Sequence, residues 1–313
     1  MLSLILRRAL ISIPLVLVVT FVTFLLQSFA PGDTARAILG QNYTPEAYDR
    51  LVEELGLDRP LLARYGDWLA HALLGDLGTS PVSGLPVASE IGNRLGVTLS
   101  LMIATTLVAL LVGVALGVVS AVRGGRLGKL VDVVSLVGFS LPNFWFGLVL
   151  VTVFAVMLRW LPATGYIPIT TSPTKWLIAL ILPVATLAAG AVAIVAKQTR
   201  DSMRDALERN FIFSLRANGV PESSIILRHG LRNAAIPIVT VLGLMFVGLS
   251  SGTVLIESVF AMPGLGGLAV QATAQRDVPM IQGVALTFTL IVVVVNLVVD
   301  LAYGWLNPKV RVS

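Results

Sequence analysis

"ANGVPESSIILRHGLRNAAIP", residues Ala217 to Pro237, is the stretch on which the reading of this chain turns. It follows Arg216, carries Arg228, His229, Arg232 and Asn233, and has Glu222 as its single acidic residue. Long apolar runs lie on both sides of it. A basic segment between two such runs makes sense as a connection between membrane spans, at the surface of the lipid. Composition points the same way. Of 313 residues, 56% are hydrophobic and 12% charged, against roughly 25% charged in a soluble domain. A surface that poor in charge has to be covered by lipid. The chain is an integral membrane protein.

Runs long enough to cross about 30 Å of hydrocarbon, roughly 20 helical residues, number six: Ala9–Phe29, Val97–Val122, Leu130–Leu158, Trp176–Ala196, Ala234–Ile256 and Ile281–Leu306. Pro142 interrupts the third and Pro183 sits inside the fourth. Leu, Val, Ala and Ile fill them without alternation, so they read as helices and not as the strands of a barrel. Arg7 and Arg8 before an apolar run ending in Ser28-Phe29-Ala30-Pro31 also resemble a secretory signal. The run exceeds the usual apolar core of about 7–15 residues, and Pro31 directly after Ala30 is a poor cleavage context. The reading is an uncleaved first span.

Basic residues orient the spans. With the N-terminus inside, fourteen of the 22 Lys and Arg residues fall on the inner side. Most of the remainder sit in the long outer segment Pro31–Gly96, which weighs least in this rule. Both termini and the Ala217–Pro237 stretch are then cytoplasmic. The net charge of +5 follows from this placement and calls for no nucleic-acid partner. Within the outer segment, Thr44-Pro45 starts a helix and Gly56 stops it. Pro60 opens a second, with Leu61, Leu62, Tyr65, Trp68, Leu69 and Leu73 at helical spacing and Arg64, Asp67 and His71 opposite. That helix can serve for packing or for docking an external partner.

Catalytic chemistry is hard to place. Without cysteine there is no disulfide, thiolate or Cys-based metal site. His71 and His229 fall on opposite sides of the membrane, so they cannot share a site. Gly124–Leu130, "GGRLGKL", fails the G-x-x-x-x-G-K-[ST] phosphate loop in its upstream spacing and in Leu130, which stands where the hydroxyl is needed. It is a tight inner turn, and the chain does not hydrolyse ATP by itself. Glu257 and Asp300 lie at the outer end of the fifth span and the inner part of the sixth, where a structural partner is expected; Asp300 could pair with a cytoplasmic arginine. Gly113–Gly117 and Gly248–Gly252 are small-xxx-small pairs that let helices approach. Ser250, Ser251 and Thr253 add a polar stripe to the fifth span, suited to a partner helix or a watery path. Pro142 with Asn143 frees backbone that a neighbour or water must satisfy.

Several motifs, in order along the whole chain, resemble one family. "LRANG" (Leu215–Gly219), a spacer and "LRHGLRNAAIP" (Leu227–Pro237) resemble the cytoplasmic loop of bacterial ABC importer permeases, in the peptide/nickel subfamily. "APGDTA" (Ala30–Ala35), "LGLDRPLLARYGDWL" (Leu55–Leu69) and "GDLGTS" (Gly75–Ser80) resemble its outer segment. "ESVFAMPGLGGL" (Glu257–Leu268), "RDVPMIQG" (Arg276–Gly283) and "VNLVVDLAYGWLNPKVR" (Val295–Arg311) resemble its C-terminal third. The long outer segment is similar to that of the B-type subunit of dipeptide and oligopeptide systems. Phe213, Leu215 and Asn218 depart from the residues usual in the cytoplasmic loop, leaving it greasier and less charged, and Gly267 departs from the residue usual in the C-terminal motif.

The resemblance implies an all-α protein with six transmembrane helices, the type I ABC importer transmembrane domain. It implies a first part, 1–95, holding one span and the outer segment. A five-helix domain, 96–306, follows with a cytoplasmic coupling loop at 197–233, and the tail is 307–313. The partners implied are a homologous second permease, two cytoplasmic ATPases that bind ATP and Mg, an extracytoplasmic binding protein and the bacterial inner membrane. Phe213, Ser214, Leu215, Arg216, Ala217, Asn218, Gly219 and Val220 would dock an ATPase. Arg228, His229, Arg232, Asn233 and Pro237 would support that loop. Pro142, Asn143, Gly248, Ser250, Ser251 and Gly252 are candidates to line the path, and Arg64, Asp67 and His71 to meet the binding protein. Substrates implied are di- and oligopeptides, with nickel complexes or glutathione-like solutes as alternatives. A secondary transporter would need inverted repeats and midplane charges, which are not found, and an intramembrane enzyme would need a buried catalytic set.

The inside count predicts the topology directly. Single cysteines placed at Ser83 and Ser223 of this cysteine-free chain should label differently with an impermeant thiol reagent on intact cells: the first reacts, the second does not. Equal labelling at both positions overturns the termini-inside arrangement.

Overall fold

In the computed structural model the described residues are 2–29, 34–125, 128, 133, 138 and 142–306. Eleven helices occur among them: α1 (Leu2–Phe29), α2 (Thr34–Leu39), α3 (Pro45–Glu54), α4 (Leu61–Leu73), α5 (Val87–Arg123), α6 (Asn143–Met157), α7 (Pro173–Leu207), α8 (Asn210–Ala217), α9 (Glu222–Val259), α10 (Leu265–Gln275) and α11 (Val278–Leu306). Five of these are long and apolar enough to cross a membrane: α1 from Ile5 on, α5, α7, α9 and α11. The second half of the expected third span is α6, which starts just after Pro142. Most of its first half lies outside the described residues, as do Ala30–Asp33, Arg126, Leu127, Lys129, Leu130 and the tail 307–313.

The helices outrun the apolar runs that announced them. The 37-residue α5 begins ten residues before Val97. Val87 and Ile91 of that first part are buried while Glu90 and Arg94 pair at 3.3 Å one turn apart. The 35-residue α7 likewise runs past Ala196 to Leu207, carrying the Lys197–Asp201 pair at 3.0 Å outward and Thr199, Met203 and Ala206 inward. Amphipathic extensions of this kind escape a count of apolar residues, because only one side of the helix is apolar.

The chain divides into two compact units. One comprises Val97–Met262 and Val294–Ser313, with Met1–Leu2. Its centre is α7, whose buried positions run from Ala179 to Ala206. Helix α5 packs on it through two glycines. A Cβ at Gly113 would lie 2.8 Å from Val195 Cβ, and one at Gly117 would lie 2.5 Å from Thr199 Cβ and 2.6 Å from the Ala196 carbonyl oxygen. Gly113–Gly117 therefore does bring two helices together. Gly248–Gly252 does not: Gly248 has nothing within 4 Å and Gly252 only Leu187 at 3.6 Å. The tight glycine of α9 is Gly243, where a Cβ would lie 2.6 Å from Val299 Cγ2 of α11, and the Thr240 and Tyr303 hydroxyls meet at 2.7 Å nearby. Sequence spacing alone could not separate these, since small residues mark a close approach only where the fold turns them to a neighbour. Buried Glu257 accepts a 2.6 Å hydrogen bond from the Thr98 hydroxyl.

The other unit comprises Ser3–Gly96 and Pro263–Val293. Thr44 caps α3 by accepting from the Ala47 N–H at 3.1 Å, Pro45 occupies its first turn and Gly56 follows at φ +60°, as the sequence implies. Helix α4 forms where expected, but its faces differ. Tyr65 packs edge-on to Phe21 and Phe24 of α1 and its hydroxyl meets that of Thr20 at 3.0 Å. Arg64 is not on the outer face: it is half-buried with its guanidinium 5.6 Å over the Phe24 ring. Burial lowers its pKa, against the pull of Asp58. Leu62 and Leu73 turn out to be exposed. The aromatic side of α4 wins the contact with α1 because rings bury more area and the tyrosine keeps a partner for its hydroxyl. Val87, Ile91, Leu265, Leu268, Ala272, Met280 and Val284 form the apolar core of this unit. Buried Ser80 donates to buried Asp277, which also accepts from the Met280 N–H at 3.2 Å.

These contacts set a contrast between two glycines. Gly117→Ala should lower the thermal stability of the purified chain by the equivalent of about 1–3 kcal/mol, the cost of forcing a methyl into a filled contact. Gly248→Ala should leave it unchanged. Equal midpoints for the two variants would show that α5 and α7 are not in close contact.

Candidate functional site

The segment after α7 folds into a sharp knuckle. Asn218 ends α8; its N–H donates to the Ser214 carbonyl at 3.0 Å and its amide nitrogen to the same oxygen at 2.8 Å. Gly219 follows at φ +75°. Its N–H donates to the Arg216 carbonyl at 3.0 Å, and that of Val220 to Leu215 at 3.1 Å. This pair of crossing bonds closes a helix end on a left-handed residue, a position glycine occupies without strain. Pro221 then precedes α9. Ile212 and Ile225 are buried, and Phe211 and Phe213 are exposed, Phe213 by 57%. The knuckle thus holds itself by its own backbone and presents two phenyl rings to solvent.

Three expectations need correcting here. The expected loop 197–233 is helix over much of its length: α7 reaches Leu207 and α9 runs 38 residues from Glu222 to Val259. Its first turns, Ile225–Gly230, are a wider π-helical stretch, where a Cβ on Gly230 would lie 3.1 Å from Met203 and 3.2 Å from Leu207. Arg216 does not hold its charge free for a partner, because it grips Glu222 at 2.6 and 3.2 Å across the turn. The expected loop supports, Arg228, His229, Arg232, Asn233 and Pro237, all lie within α9 itself, where Asn233 donates to the His229 carbonyl at 2.8 Å. The residues that brace the knuckle are Asn218, Glu222, Ile212 and Ile225. Glu222 was legible only as an acid in a basic stretch; its pairing needed the turn.

Further along α9 the same unit has a groove of about 430 Å³. Pro142 and Asn143 at the start of α6 line it, with Gly248 and Gly252 of α9. Leu187, Gly190, Ala191 and Ile194 of α7 and Met245 and Leu249 of α9 complete it with Gly138. Four of the six path candidates therefore meet in one place, while Ser250 and Ser251 are not among its walls. The α7 contribution was missed; Leu187–Ala193, "LAAGAVA", carried a small-residue signal there. Glycines give these walls bare backbone, and among the described residues lining the groove none is charged.

In the other unit, Arg64 and Asp67 line a cavity of about 450 Å³ with Arg59, Glu54, Trp68 and Gln282. Asp67 pairs with Arg59 at 2.6 Å. His71 stands apart from this cavity, its Nδ1 2.8 Å from the Asp67 carbonyl. Among the described residues no three His, Asp or Glu side chains gather as a metal site.

Comparison with known families decides what these parts belong to. Residues 109–312 match the family described as the binding-protein-dependent transport system inner membrane component, and residues 1–102 match its N-terminal family. The chain belongs to this family. It is the permease subunit of an ABC importer, a multi-pass membrane protein. A Brucella abortus (strain 2308) protein described as a peptide transport system permease is 40% identical over 99% of both chains. The glutathione transport system permease of Salmonella choleraesuis (strain SC-B67) is also 40% identical over 99% of both. A Sinorhizobium fredii (strain NBRC 101917 / NGR234) protein described as a peptide ABC transporter permease is 38% identical over 98% of both. Among solved structures, an inward-facing conformation of the MetNI methionine ABC transporter matches with a TM-score of 0.56 and 15% identity, over 69% of this chain and 96% of that one. That likeness gives the permease the type I importer membrane fold.

The brace predicts a local measurement. Glu222→Gln removes the charge that holds Arg216, so amide hydrogen exchange at Asn218, Gly219 and Val220 should quicken by a few-fold and no more, since both side chains face solvent. Unchanged exchange there would mean that the backbone bonds alone hold the knuckle.

Proposed function

We propose that this permease is the B-type subunit of a peptide importer, and that the knuckle at Phe211–Val220 is where an ATPase subunit docks. A homologous second permease completes the path, two cytoplasmic ATPases supply ATP and Mg binding and hydrolysis, and an extracytoplasmic binding protein delivers substrate. Both termini face the cytosol. The substrates are di- and oligopeptides, supported by two relatives whose names say peptide. The glutathione relative, at the same identity as the Brucella one, keeps a tripeptide-like thiol as the alternative.

One observation carries this reading. The helix that starts at the knuckle is the helix whose Gly248 and Gly252 line the groove. A push on Phe211 and Phe213 can therefore reach the groove along one continuous helix, through the π-helical stretch Ile225–Gly230 and past Pro237. Physically the permease needs no catalytic side chain: a partner that changes shape on binding ATP biases the two positions of this lever. The phenyl rings would fill an apolar cleft in the ATPase, while the Arg216–Glu222 pair stiffens the turn between docking surface and lever. The uncharged groove suits a path through which peptides of varied side-chain charge pass, selection being left to the binding protein.

Gly219→Val tests the lever. Nothing lies within 4 Å of a Cβ there, so the change acts through backbone strain and not through a clash. A β-branched residue in the left-handed region costs about 1–2 kcal/mol or more. Uptake by the reconstituted importer should fall roughly tenfold or further, with membrane insertion intact and stimulation of the ATPases by loaded binding protein lost. Gly219→Asn, which tolerates this conformation, should retain most activity. Wild-type uptake and stimulation in Gly219→Val would reduce the loop to a basic anchor.

A further inference from the structure

Two arginines near the start of α9 have no work in the reading above. Arg228 and Arg232 are both exposed, and among the described residues neither makes a hydrogen bond or an ion pair. The nearest acid in sequence, Glu222, is already held by Arg216. On the end of α7 that packs against Gly230, Asp201 is held by Lys197, and exposed Asp205 and Glu208 make no ion pair with either arginine among the described residues. Leu227, next to Arg228, is 63% exposed. An unmatched pair of cations beside an open leucine, on a well-packed helix, is a surface lacking its partner.

The depth of these residues says what the partner is. The apolar run of this helix begins at Ala234. At about 1.5 Å per residue, Arg232 lies roughly 3 Å and Arg228 roughly 9 Å outside that boundary. The polar layer of a bilayer is about 5–8 Å thick on each side, so Arg232 lies within it and Arg228 at its outer edge. The π-helical stretch Ile225–Gly230 matters for their alignment. A turn wider than an α turn brings residues four apart nearer to vertical register, so Arg228 stands more directly over Arg232 than in a plain α-helix. Guanidinium groups stacked this way offer forked donors to the oxygens of one phosphate.

We propose that Arg228 and Arg232 form a binding site for the phosphate of an anionic phospholipid headgroup. The bound lipid fixes the height of α9 in the membrane at the turn just after the knuckle. The site stands apart from the transport reading: it needs no ATPase, substrate or second permease to be occupied.

The test uses the full-length chain in neutral detergent, titrated with phosphatidylglycerol and followed by native mass spectrometry. Phosphatidylglycerol should bind at least about tenfold more tightly than zwitterionic phosphatidylcholine. The double variant Arg228→Gln/Arg232→Gln should bind it about 30-fold more weakly, the factor for two surface cations at about 1 kcal/mol each. Arg228→Lys/Arg232→Lys keeps the charge and should hold lipid within about threefold, which also shows that substitution here leaves the chain folded. Equal phosphatidylglycerol affinity in the wild type and the glutamine pair overturns the proposal. So does displacement of the lipid by inorganic phosphate at equal concentration, which would make this a site for free phosphate. Loss of ATPase co-purification in the glutamine pair with lipid retention unchanged would assign the arginines to a cytosolic protein contact instead, and also overturns it. No arm measures transport, so a failure here leaves the importer reading standing.

Discussion

The core of the larger unit depends on how near α5 can come to α7. In lipid there is no gain from hiding one apolar helix behind another, since the acyl chains are as apolar as leucine; only close packing distinguishes a partner helix from solvent. Gly113 and Gly117 supply that closeness, with Val195, Ala196 and Thr199 filling the space their missing side chains leave. Dispersion falls steeply with separation, so a gap of even half an ångström would forfeit a quarter or more of each contact. Helix α7 can therefore be buried along most of its length, and a helix so held is a fixed post. The groove then forms where α6, α7 and α9 meet, and α9 has something to move against.

The same economy explains how polar groups are handled. Buried Glu257 is met by Thr98, Tyr303 by Thr240, and Trp176 Nε1 by the Ser100 and Tyr166 hydroxyls at 3.3 and 3.2 Å. In the smaller unit Ser80 meets Asp277 and Gln282 donates to the Thr20 carbonyl at 2.8 Å. All but Tyr166–Trp176 join residues far apart in sequence, and Glu257, Asp277 and Gln282 are groups buried from water. These bonds add little net stability, yet leaving any one unmade would be expensive. They fix which helices are neighbours more than how tightly those neighbours hold.

The proposed lever lies where the chain departs from straight α-helix: the left-handed Gly219 at the knuckle, the π-helical stretch Ile225–Gly230 just after it and Pro142 at the groove. In that proposal the continuous run of α9 is the bar, and the backbone bonds around Asn218–Val220 with the Arg216–Glu222 clasp hold its end.

The membrane class, the apolar spans, the helix ends at Thr44-Pro45 and Gly219 and the break before Pro221 were all legible in the sequence. They rest on local facts: hydrocarbon thickness, proline's missing donor and glycine's freedom at positive φ, each of which acts within a few residues. Family motifs added the importer class, because their order along the chain is itself a sequence property. What the sequence could not decide was direction. Arg64 and Tyr65 stand side by side on α4, yet only the approach of α1 settles that the arginine lies over Phe24. Gly248 and Gly243 look equally fit for a helix contact, and only the placement of α11 makes Gly243 the one that touches. Arg216 reads as a free charge until the turn folds Glu222 back onto it. Periodicity says which residues share a face, but which neighbour that face meets is set by long-range packing, and that was decided by the tertiary structure alone.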